Sequence, residues 1–558
     1  MTPSEPNPRP TTPLLHHRED FAGAEERVLR RFFTNTTEPV FALINLPEVV
    51  KGALFARYSR SPKSLRRLFL DEFYEAPEAG VAAIAESIDE EDASVRTRRA
   101  EELYGRMFTD YGDDSVAQLG GMHLACEQAS NVLTKVLEWG RLAAYLEQST
   151  RYMFYDKHLG GRYRYTVPPE LLGHPLETEF RRVMDGLFTT YSGLTERLTR
   201  YYETLHPKAD GDSDFVYRST IRARVCDDLR GLLPAATISN VGIYASGQAY
   251  EMLLVRMNAH PLAEARAYAA MMLAELRKVA PAFLRRVDIP DRGGDWSRFL
   301  AETAAGVARS AEAVIDHEPR SRPEVVLVDW DRDAESRVAA AALYSVTDLP
   351  ADDLRRAVDA MDEATRAAIV AAYVGDRRNR RHKPGRAMEA PTYKFDILCD
   401  YGIFRDLQRH RLLTLEWQRL GTLHGFVTPE SVIDIGAQGS WHAAMKEAGD
   451  LHRLLADSLG PDTAQYAVPF AYRIRFYMQM NAREAFHLIE LRTAQGGHPD
   501  YRRVCAEMHR LIRDQAGHRL IADAMKFVDH GEHSLGRLEA ERRAAARRAA
   551  VGVADPGV

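Results

Sequence analysis

The feature that most constrains how this chain can fold is an internal duplication. Four motifs of the first half recur in the same order in the second half of the 558 residues. Each pair is weak alone, but the shared order is hard to obtain by chance. The pairs are ARYSRS (56–61) with ALYSVT (342–347), GDDSVAQ (112–118) with GRAMEA (385–390), EWGRLAAYLEQSTRY (138–152) with QRHRLLTLEWQRLG (408–421), and residues 232–261 with 467–499. The sequence therefore predicts two tandem, diverged copies of one module.

Helical periodicity dominates both copies. Apolar residues three and four apart predict helices over 240–285, 440–460 and 500–527. Shorter segments have strand character, at 162–168, 324–330 and 393–401. We therefore expect a helix-rich α+β fold. The predicted organisation is a disordered leader (1–25), a first module (26–315), a second module (316–535) and a basic C-terminal tail (536–558).

Composition argues against several functional classes. The net charge of −6 and the pI of about 6.4 disfavour a dedicated nucleic-acid-binding protein, which would carry a basic excess. No run of about 18 apolar residues is present, so no membrane span is expected. None of the four cysteines has a neighbour at CxxC spacing. We therefore expect no metal site and no disulfide, and we place the protein in the reducing cytoplasm.

The most distinctive candidate for a functional site is Arg409-His410-Arg411, which occurs in the second copy alone. Two guanidiniums that flank an imidazole concentrate positive charge and hydrogen-bond donors, and arginine matches the oxygens of phosphates and carboxylates. The surrounding residues predict a helix that enters a turn. The alternative interpretation is an exposed basic helix face that forms surface salt bridges.

A second candidate is a polar segment of the first copy, which we expect to follow an alanine- and leucine-rich helix. A loop that offers hydroxyls, an arginine and backbone N–H groups suits a phosphate. A helix cap beside an ion pair explains the same residues equally well. The segment consists of Glu147, Gln148, Ser149, Thr150, Arg151 and Tyr152.

A third candidate begins at Asn481 in the second copy. Arg483 and His487 are four residues apart, so on a helix they share a face. An asparagine can both donate to and accept from the edge of a heterocycle. Arg492 follows, and the first copy keeps Arg256 opposite it. The alternative is the polar face of a surface helix.

Two serines precede the second pair of motifs. Ser59 lies upstream of GDDSVAQ, and Ser345 lies upstream of GRAMEA, which contains Glu389. Turn chemistry explains these Gly, Asp and Ser residues without a ligand. No Walker loop, GxGxxG fingerprint, GxSxG elbow or HExxH helix is present, so a nucleotide site must have another design.

Together these motifs resemble the flavin-dependent thymidylate synthases, whose signature is RHRxxSxNExSxRY. The second copy reads RHRLLTLEWQRLG, with the RHR intact and Thr414 in place of the first serine. The first copy reads WGRLAAYLEQSTRY and keeps Arg141 of the RHR together with the ExSxRY end of the signature. The signature is whole only when the two copies are combined. The resemblance spans most of the chain.

The resemblance implies an α/β core and an enzyme that methylates deoxyuridylate (dUMP) at C5 to give thymidylate. It implies FAD as cofactor, with NADPH and methylenetetrahydrofolate as co-substrates and no cysteine nucleophile. Family enzymes are homotetramers of single-module chains in which each site combines neighbouring subunits. We therefore expect a homodimer of this double-length chain, which would mimic that tetramer.

The resemblance also divides the roles between the copies. Arg492 is the expected catalytic group, placed near the uracil edge to favour its developing charge. Arg409 and His410 would bracket the anionic reduced flavin. The reciprocal site has Trp139-Gly140 where the RHR should begin, so one working site per chain is expected. The expected flavin residues are Arg409, His410, Arg411, Asn481, Arg483, His487, Glu389 and Ser345. The expected nucleotide residues are Glu147, Gln148, Ser149, Thr150, Arg151, Arg230 and Arg256.

Three positions depart from the family pattern. The second nucleotide arginine matches Arg230 in the first copy but Gln465 in the second, which is the copy that the intact site is expected to use. The glutamine three residues before the RHR is Asp406. A flavin-contacting histidine motif is replaced by HKPGRAME, where Arg386 or Glu389 would substitute. These departures leave two alternatives open: a non-catalytic flavin- or nucleotide-binding homologue, and an enzyme that modifies another uridine nucleotide.

Overall fold

The computed structural model describes residues 14–74, 118, 120–210, 212–315 and 320–531, together with positions 536, 538, 542 and 543 of the tail. The GDDSVAQ motif apart from its last residue, and the first thirteen residues of the expected leader, lie outside the described residues. Helix is the dominant element, as the sequence predicts. No helix in the described ranges combines the length and the apolar composition needed to cross a bilayer.

Within the described ranges, the strands form two four-stranded antiparallel sheets. The strand order is β1-β2-β4-β3 in the first sheet and β5-β6-β8-β7 in the second. This identity of order confirms the duplication. The strands are β1 (Val40–Leu43), β2 (Gly121–Ser130), β3 (Ala143–Glu147), β4 (Ile238–Ser246), β5 (Val325–Trp330), β6 (Thr392–Asp400), β7 (Thr414–Trp417) and β8 (Arg473–Asn481).

The α-helices follow the same repeat, because the second and fourth strands of each copy run directly into a helix. In the first copy they are α1 (Gly23–Phe32), α2 (Glu48–Tyr58), α3 (Leu65–Phe69), α4 (Asn131–Leu137), α5 (Glu177–Leu205), α6 (Asp214–Leu229), α7 (Gly247–Asn258), α8 (Ala263–Val279) and α9 (Gly293–Val314). In the second they are α10 (Ala334–Tyr344), α11 (Ala351–Asp359), α12 (Glu363–Val374), α13 (Tyr401–Leu407), α14 (Glu430–Asp434), α15 (Gln438–Leu459), α16 (Pro461–Ala464), α17 (Ala482–Arg492), α18 (Pro499–Arg510) and α19 (Arg519–Ala524).

The chain divides into two compact units that do not coincide with the two copies. The first unit comprises residues 1–195, 232–318 and 436–469, and the second comprises 196–231, 319–435 and 470–558. Each unit therefore contains one sheet and a helical segment from the other copy. The predicted boundary near residue 315 falls just after α9, which ends at Val314.

Buried polar contacts hold each exchanged segment. In the first unit, the Tyr466 hydroxyl donates to Glu264 at 2.5 Å, and the Ala235 N–H donates to the Val468 carbonyl at 2.8 Å. In the second unit, the Ser431 hydroxyl donates to Asp228 at 2.6 Å. Because unsatisfied buried polar groups are costly, these contacts specify which helices complete each unit.

Several local predictions are confirmed and others are wrong. The segments at 324–330 and 393–401 are β5 and β6, and 440–460 is α15. Residues 162–168 are not a strand: Tyr165 makes one isolated bridge to Thr237, and Pro168 cannot donate to a ladder. Residues 143–147, expected to be helical, form β3, and the predicted helix over 240–285 begins instead as β4.

The leader segment also contains ordered structure. Helix α1 begins at Gly23, within the range assigned to the leader. Ahead of it, the backbone N–H of His17 donates to the Gln128 side chain, and the Gln128 amide donates back to the His17 carbonyl, both at 2.8 Å. Gln128 adopts a φ of 56°, within a register shift of β2. This bulge orients the Gln128 side-chain amide towards the leader segment at His17.

Candidate functional site

The RHR sequence lies in the turn that links α13 to β7, as the sequence predicts. Asp400 caps α13 by accepting from the Ile403 N–H at 3.0 Å, and the His410 N–H donates to the Leu407 carbonyl at 3.2 Å, which ends the helix. The two arginines of this turn are partly exposed, whereas His410 is buried. The turn therefore carries an internal imidazole between two arginines at its surface.

His410 links two residues of α17. Its Nδ1 lies 3.0 Å from a Glu484 carboxylate oxygen, and its Nε2 lies 3.0 Å from Nε of Arg492. A guanidinium can only donate, so Nε2 must accept and Nδ1 must carry the proton that His410 donates to Glu484. The other oxygen of Glu484 lies 3.3 Å from Nδ1 of His487. We call these four side chains, Arg492, His410, Glu484 and His487, the relay.

The charge states of the relay agree with this tautomer. Burial lowers the pKa of His410 to about 4, although the hydrogen bond to Glu484 opposes the shift. Burial raises the pKa of Glu484, but the hydrogen bonds from His410 and His487 outweigh it and lower that pKa to about 2. At neutral pH the imidazole of His410 is therefore neutral and the carboxylate is ionised.

This arrangement corrects the expected role of His410. The sequence suggested that the imidazole adds charge and a donor for the flavin, but both ring nitrogens are already hydrogen-bonded inside the protein. His410 positions the Arg492 guanidinium instead. The Arg492 Nη2 also donates to the Asp406 carbonyl, and the guanidinium lies 5.3 Å from the Tyr501 ring centre. The arginine is thus oriented from three sides.

Arg230, which the first copy contributes, joins this cluster in the second unit. Its Nη1 donates to the Asp406 carboxylate at 3.0 Å, and only 3% of the residue is exposed. Its Nη2 is buried and has no hydrogen-bond partner among the described residues. Gly402 lies against it, since a Cβ there would come within 3.0 Å of the Arg230 Nε and of an Asp400 oxygen.

The position of Arg230 also changes the expectation for Gln465. We expected the second-copy position to serve the intact site, but Gln465 belongs to the first unit, where its amide donates to the Asp462 carbonyl at 3.2 Å. The exchange of helices brings the arginine of the first copy to Asp406 instead. Burial raises the pKa of the neighbouring Asp400 to about 7, although Arg230 opposes the shift.

A partly exposed rim adjoins the relay. Arg409, Arg483 and His487 leave 39%, 36% and 35% of their side chains exposed, in contrast to the buried His410. Arg483 donates to the Pro384 carbonyl and pairs with Glu389 at 3.1 Å, so these two predicted residues are brought together. We call Arg409, Arg483 and His487 the rim.

Other predicted residues have structural partners or lie apart. The Asn481 side-chain oxygen caps α17 by accepting from the Glu484 N–H at 2.9 Å, so that oxygen is not available to a heterocycle. Arg411 is half-buried in the turn after α13. Ser345 is an exposed residue after α10 and, within the described ranges, makes no side-chain hydrogen bond with the relay or the rim.

The expected nucleotide loop, Glu147–Tyr152, lies in the first unit. Glu147 ends β3 and is buried 3.4 Å from the Lys135 ammonium, which also contacts Glu138 at 2.9 Å. The Gln148 amide donates to the Ser61 carbonyl at 2.6 Å. The buried contacts of Glu147 and Gln148 therefore hold the conformation of the loop.

The remaining residues of the loop are less enclosed. The Ser149 N–H donates to the Ser59 carbonyl at 3.0 Å, and the Arg151 N–H donates to the Ser149 hydroxyl at 3.1 Å. Ser149 and Arg151 are partly exposed, whereas Thr150 is buried. The hydroxyl and the guanidinium are thus the groups of this loop that a ligand can reach most easily.

The first copy lacks the relay. Helix caps fix the correspondence, because Ser246 accepts from the Ala249 N–H as Asn481 accepts from the Glu484 N–H. Ala249 therefore occupies the position of Glu484, and Met252 that of His487. Counted from these caps, Arg256 lies one residue before the position of Arg492, but it donates to the Val136 carbonyl, which matches the Asp406 carbonyl that Arg492 contacts.

The side chains around Arg256 differ in kind. Gly140 occupies the position of His410, and the Arg256 guanidinium lies 3.7 Å from the centre of the Trp139 ring. A cation–π contact thus replaces the hydrogen bond from an arginine to a histidine. The first copy keeps the arginine and its backbone contact but none of the ionisable partners of the relay.

Glu484 and Asp406 are the functional candidates whose roles were not predicted. Glu484 was not singled out, although its helical spacing to His487 and Arg492 places all three on neighbouring faces of α17. Asp406 was noted as a departure, but its pairing with Arg230 crosses the two copies and depends on the exchange of helices. His410, Glu484 and His487 are also close enough to share a cation. However, the proton on the His410 Nδ1 faces the carboxylate, which favours hydrogen bonding over coordination.

Comparisons with known proteins give consistent results. A model of the family described as thymidylate synthase complementing protein matches residues 70–282 and 326–516, once in each copy. The UPF0159 protein of Chlamydia pneumoniae is 38% identical over 537 residues, which cover 95% of this chain and 99% of that protein. A flavin-dependent thymidylate synthase from Geobacter sulfurreducens is 28% identical over 205 residues, which cover 35% of this chain and 83% of that protein.

A solved structure is also similar in part. A UMP/dUMP methylase from Streptomyces cacaoi, bound with 5-Br dUMP, is 19% identical and has a TM-score of 0.30. The similarity covers 38% of this chain and 98% of that one.

Proposed function

The chain belongs to the family of thymidylate synthase complementing proteins, and on that premise we propose that it methylates dUMP at C5 to give thymidylate. The proposal takes FAD as cofactor and NADPH and methylenetetrahydrofolate as co-substrates. The similarity to a flavin-dependent thymidylate synthase supports this choice of chemistry. The cytoplasm is the proposed location.

The observation that carries the proposal is the buried Nη2 donor of Arg230, which has no hydrogen-bond partner in the part of the chain that the structure describes. An unsatisfied buried polar group costs about 1–3 kcal/mol, and more when it is charged. A ligand oxygen would remove this cost, and a nucleotide supplies such oxygens on its phosphate and on its base. Asp406 holds the Arg230 guanidinium at its other edge, at 3.0 Å, so the donor is already oriented.

Arg492 is the proposed catalytic residue. Hydrogen bonding to His410 and to the Asp406 carbonyl fixes its guanidinium before any substrate arrives. A preorganised cation of this kind stabilises negative charge that develops on the uracil ring. His410 and Glu484 act through Arg492 and are positioning residues.

The rim fits an anionic cofactor such as FAD. Arg409, Arg483 and His487 are partly exposed and lie next to the buried, hydrogen-bonded His410 and Glu484, so they can contact the cofactor without leaving the core unsatisfied. When bound, FAD would supply the hydride transfer. We propose that Arg411 and Asn481 assist in holding it and that Glu389 orients Arg483.

The nucleotide loop is the proposed phosphate-binding element of the first unit. We propose that Arg151 and the Ser149 hydroxyl bind the 5′-phosphate by charge-assisted hydrogen bonds. Glu147 and Gln148 would maintain the loop conformation through their contacts with Lys135 and Ser61. We propose that Thr150 and Arg256 assist this element within the first unit.

The sharpest test compares dUMP binding after substitution of either of two arginines that lie close together in the sequence. We expect Arg230→Gln to weaken dUMP binding about 10- to 100-fold, because a hydrogen bond to a charged group contributes about 1.5–3 kcal/mol. Arg222→Gln is the matched control, since Arg222 is exposed on α6 and makes no hydrogen bond or ion pair with the cluster among the described residues. Calorimetric titration with dUMP measures both. Equal affinities of the two variants would contradict the proposal.

Flavin content tests the cofactor separately. We expect the purified protein to release FAD on denaturation, or to take up added FAD, and to form thymidylate from dUMP when both co-substrates are present. Colourless protein that takes up no FAD would argue against the proposal even if it bound dUMP.

A second candidate is a binding protein without turnover. The ion pair between Arg230 and Asp406 favours it, because the carboxylate partly neutralises the arginine and would repel a phosphate. Growth of a thymidine auxotroph that expresses the chain separates the candidates, since only the enzyme restores growth. Incubation with a panel of uridine nucleotides, followed by mass spectrometry, tests the choice of substrate.

A further inference from the structure

The first unit contains a groove beside the leader segment that the proposed function does not use. Residues 15–18 of the leader, Gln128 in the bulge of β2 and residues within 159–167 form its walls, and we call it the leader groove. Its volume is about 420 Å³, which is sufficient for a small organic ligand. No residue of the relay, the rim or the nucleotide loop lines it.

The lining of the leader groove is basic. Arg18, Arg162 and Arg181 contribute guanidiniums, His16 and His17 contribute imidazoles, and none of the described lining residues is a carboxylate. Burial lowers the pKa of His16, so the arginines carry the positive charge. Because guanidiniums match the oxygens of phosphates and carboxylates, this lining favours an anionic ligand.

Arg162 is the cation of the leader groove that is most available to a ligand. Arg18 donates to Glu38 at 2.8 Å, and Arg181 donates to Glu177 at 2.7 Å, so carboxylates outside the groove engage these two arginines. The side chain of Arg162 is exposed and, within the described ranges, makes neither a hydrogen bond nor an ion pair. An anion in the groove can therefore bind Arg162 without displacing a carboxylate.

A tight turn holds Arg162 in place. The Leu159 N–H donates to the Arg162 carbonyl at 2.8 Å, and the Arg162 N–H donates to the Leu159 carbonyl at 3.2 Å. Gly160 and Gly161 have φ angles of 58° and 79°, as a two-residue hairpin turn requires. A Cβ at Gly160 would lie 2.6 Å from the His17 Nδ1, so glycine is also needed for the close packing of the turn against the leader.

Two tyrosines add aromatic surface to the leader groove. Tyr163 stacks on Phe188 with the ring centres 5.2 Å apart, and the Tyr165 hydroxyl donates to Asp185 at 3.0 Å. These contacts fix both tyrosines before a ligand binds. The remaining lining includes several aliphatic side chains, so a planar ring can lie beside the cations.

We propose that the leader groove binds a small organic phosphate that carries a planar ring, such as a nucleoside monophosphate. Arg162 and Arg181 bind the phosphate by charge-assisted hydrogen bonds, and the ring lies against Tyr163 and Tyr165. Both parts of the ligand are needed, because the groove offers cations on one wall and rings on another. This site does not depend on the proposed function, since it shares no residue with the groups assigned to dUMP or FAD.

Calorimetric titration of the full-length chain tests the ligand class with three probes. Adenosine monophosphate (AMP) has both the phosphate and the ring, ribose 5-phosphate lacks the ring, and adenosine lacks the phosphate. We expect AMP to bind about 10-fold or more tightly than either of the others. Absence of AMP binding would overturn the proposal. Ribose 5-phosphate as tight as AMP would contradict the role of the rings, and adenosine as tight as AMP would contradict the role of the cations.

Substitution of the arginines tests the anion site. We expect Arg162→Gln and Arg181→Gln each to raise the AMP dissociation constant about 10-fold or more, because each removes a charged donor. Arg182→Gln is the matched control: Arg182 follows Arg181 on α5 and pairs with Glu179 at 2.8 Å, but it does not line the groove. Equal AMP affinities of Arg162→Gln and Arg182→Gln would overturn the proposal.

The two glycines of the turn provide a second matched pair. Gly160→Ala and Gly161→Ala both place a side chain at a positive φ, so both should lower the temperature of thermal unfolding to a similar degree. Only the methyl group of Gly160→Ala meets His17, because a Cβ at Gly161 has open space. We expect Gly160→Ala to weaken AMP binding several-fold relative to Gly161→Ala. Equal affinities would contradict the placement of the ligand between the turn and the leader.

Binding measurements on both sites distinguish the leader groove from the proposed catalytic site. Arg162→Gln should leave dUMP affinity and thymidylate formation unchanged, whereas Arg151→Ala should leave AMP affinity unchanged. AMP binding tests the leader groove even if the chain forms no thymidylate. Loss of AMP binding in Arg151→Ala would assign the phosphate to the nucleotide loop and overturn the proposal.

Discussion

The relay shows how neighbours decide what a single residue does. His410 lies between two arginines in sequence, yet its hydrogen bonds run to Arg492 and Glu484 on another element. The sequence indicates the histidine but not its partners, because a turn and a helix 74 residues apart meet only in the fold. Glu484 was missed for the same reason. A carboxylate near the start of a helix is usual, and its second role depends on packing.

His410 should make the stability of the protein depend on pH. Burial lowers its pKa from 6.5 to about 4, so between these values the unfolded chain binds a proton that the folded chain does not. The stabilisation is fully present above pH 6.5 and is lost as the pH falls through 6.5 towards 4. Its size is roughly 3 kcal/mol. We expect His410→Gln to flatten the fall in urea midpoint over this interval.

The control for this experiment is His442→Gln, which changes an exposed ring on α15. It should reproduce the pH dependence of the unsubstituted protein. If the midpoints of His410→Gln and the unsubstituted protein fell in parallel between pH 6.5 and 4, His410 would not be buried as a neutral imidazole.

Gly402 is the residue that makes room for Arg230. A methyl group there would press on the Arg230 Nε and on an Asp400 oxygen, both 3.0 Å away. We expect Gly402→Ala to weaken dUMP binding several-fold. Gly193→Ala in α5, where a Cβ has open space, should instead stabilise the helix by about 0.5–1 kcal/mol. Calorimetry and thermal unfolding measure the two effects. Unchanged affinity in Gly402→Ala would show that Arg230 does not contact the nucleotide.

At the scale of elements, β5 and β6 were predicted as strands, whereas β3 and β8 were not. β6 alternates buried and half-buried residues along its length and was identified. β8 alternates in the same way but was overlooked within a longer motif. β3 has the composition of a helix, AAYLE, and becomes a strand because it pairs with β4. Tertiary pairing overrides local propensity in such short segments.

The nucleotide loop gives a prediction at this scale, because the two copies carry different loops after β3 and β7. If the first-copy loop binds dUMP, Arg151→Ala should reduce turnover at least 100-fold by removing a charged contact to the phosphate. Arg419→Ala changes the corresponding second-copy loop and should have little effect. Steady-state assays of both variants measure this. A comparable loss in Arg419→Ala would mean that the second-copy loop also serves a working site.

At the scale of the whole molecule, the exchange of helices makes the two copies depend on each other. If the first copy is produced alone, its unit lacks residues 436–469, and if the second copy is produced alone, its unit lacks residues 196–231. Buried carboxylates such as Glu264 would lose their hydroxyl partner Tyr466. We expect residues 26–315 and 316–535 to be poorly soluble when expressed separately and to assemble when co-expressed. Circular dichroism and co-purification test this, and two independently stable halves would contradict it.

The asymmetry between the copies sets the number of sites per chain. The second copy holds the relay, whereas the first has Gly140, Ala249 and Met252 at the matching positions. Three ionisable side chains are thus replaced by groups that neither donate nor accept, and Arg256 lies against Trp139 instead. A flavin site built on the first copy would lack the residues that orient its arginine.

We therefore expect one FAD and one dUMP per chain at saturation, although the chain contains two modules. Flavin released on denaturation, divided by protein concentration, gives the first ratio, and calorimetric titration gives the second. Arg483→Ala, which removes a rim cation of the second copy, should lower the flavin ratio towards zero. Gln248→Ala changes the matching position of the first copy and should leave the ratio at one. Two flavins per chain, or a ratio halved by both substitutions, would show that the first copy binds the cofactor without a relay.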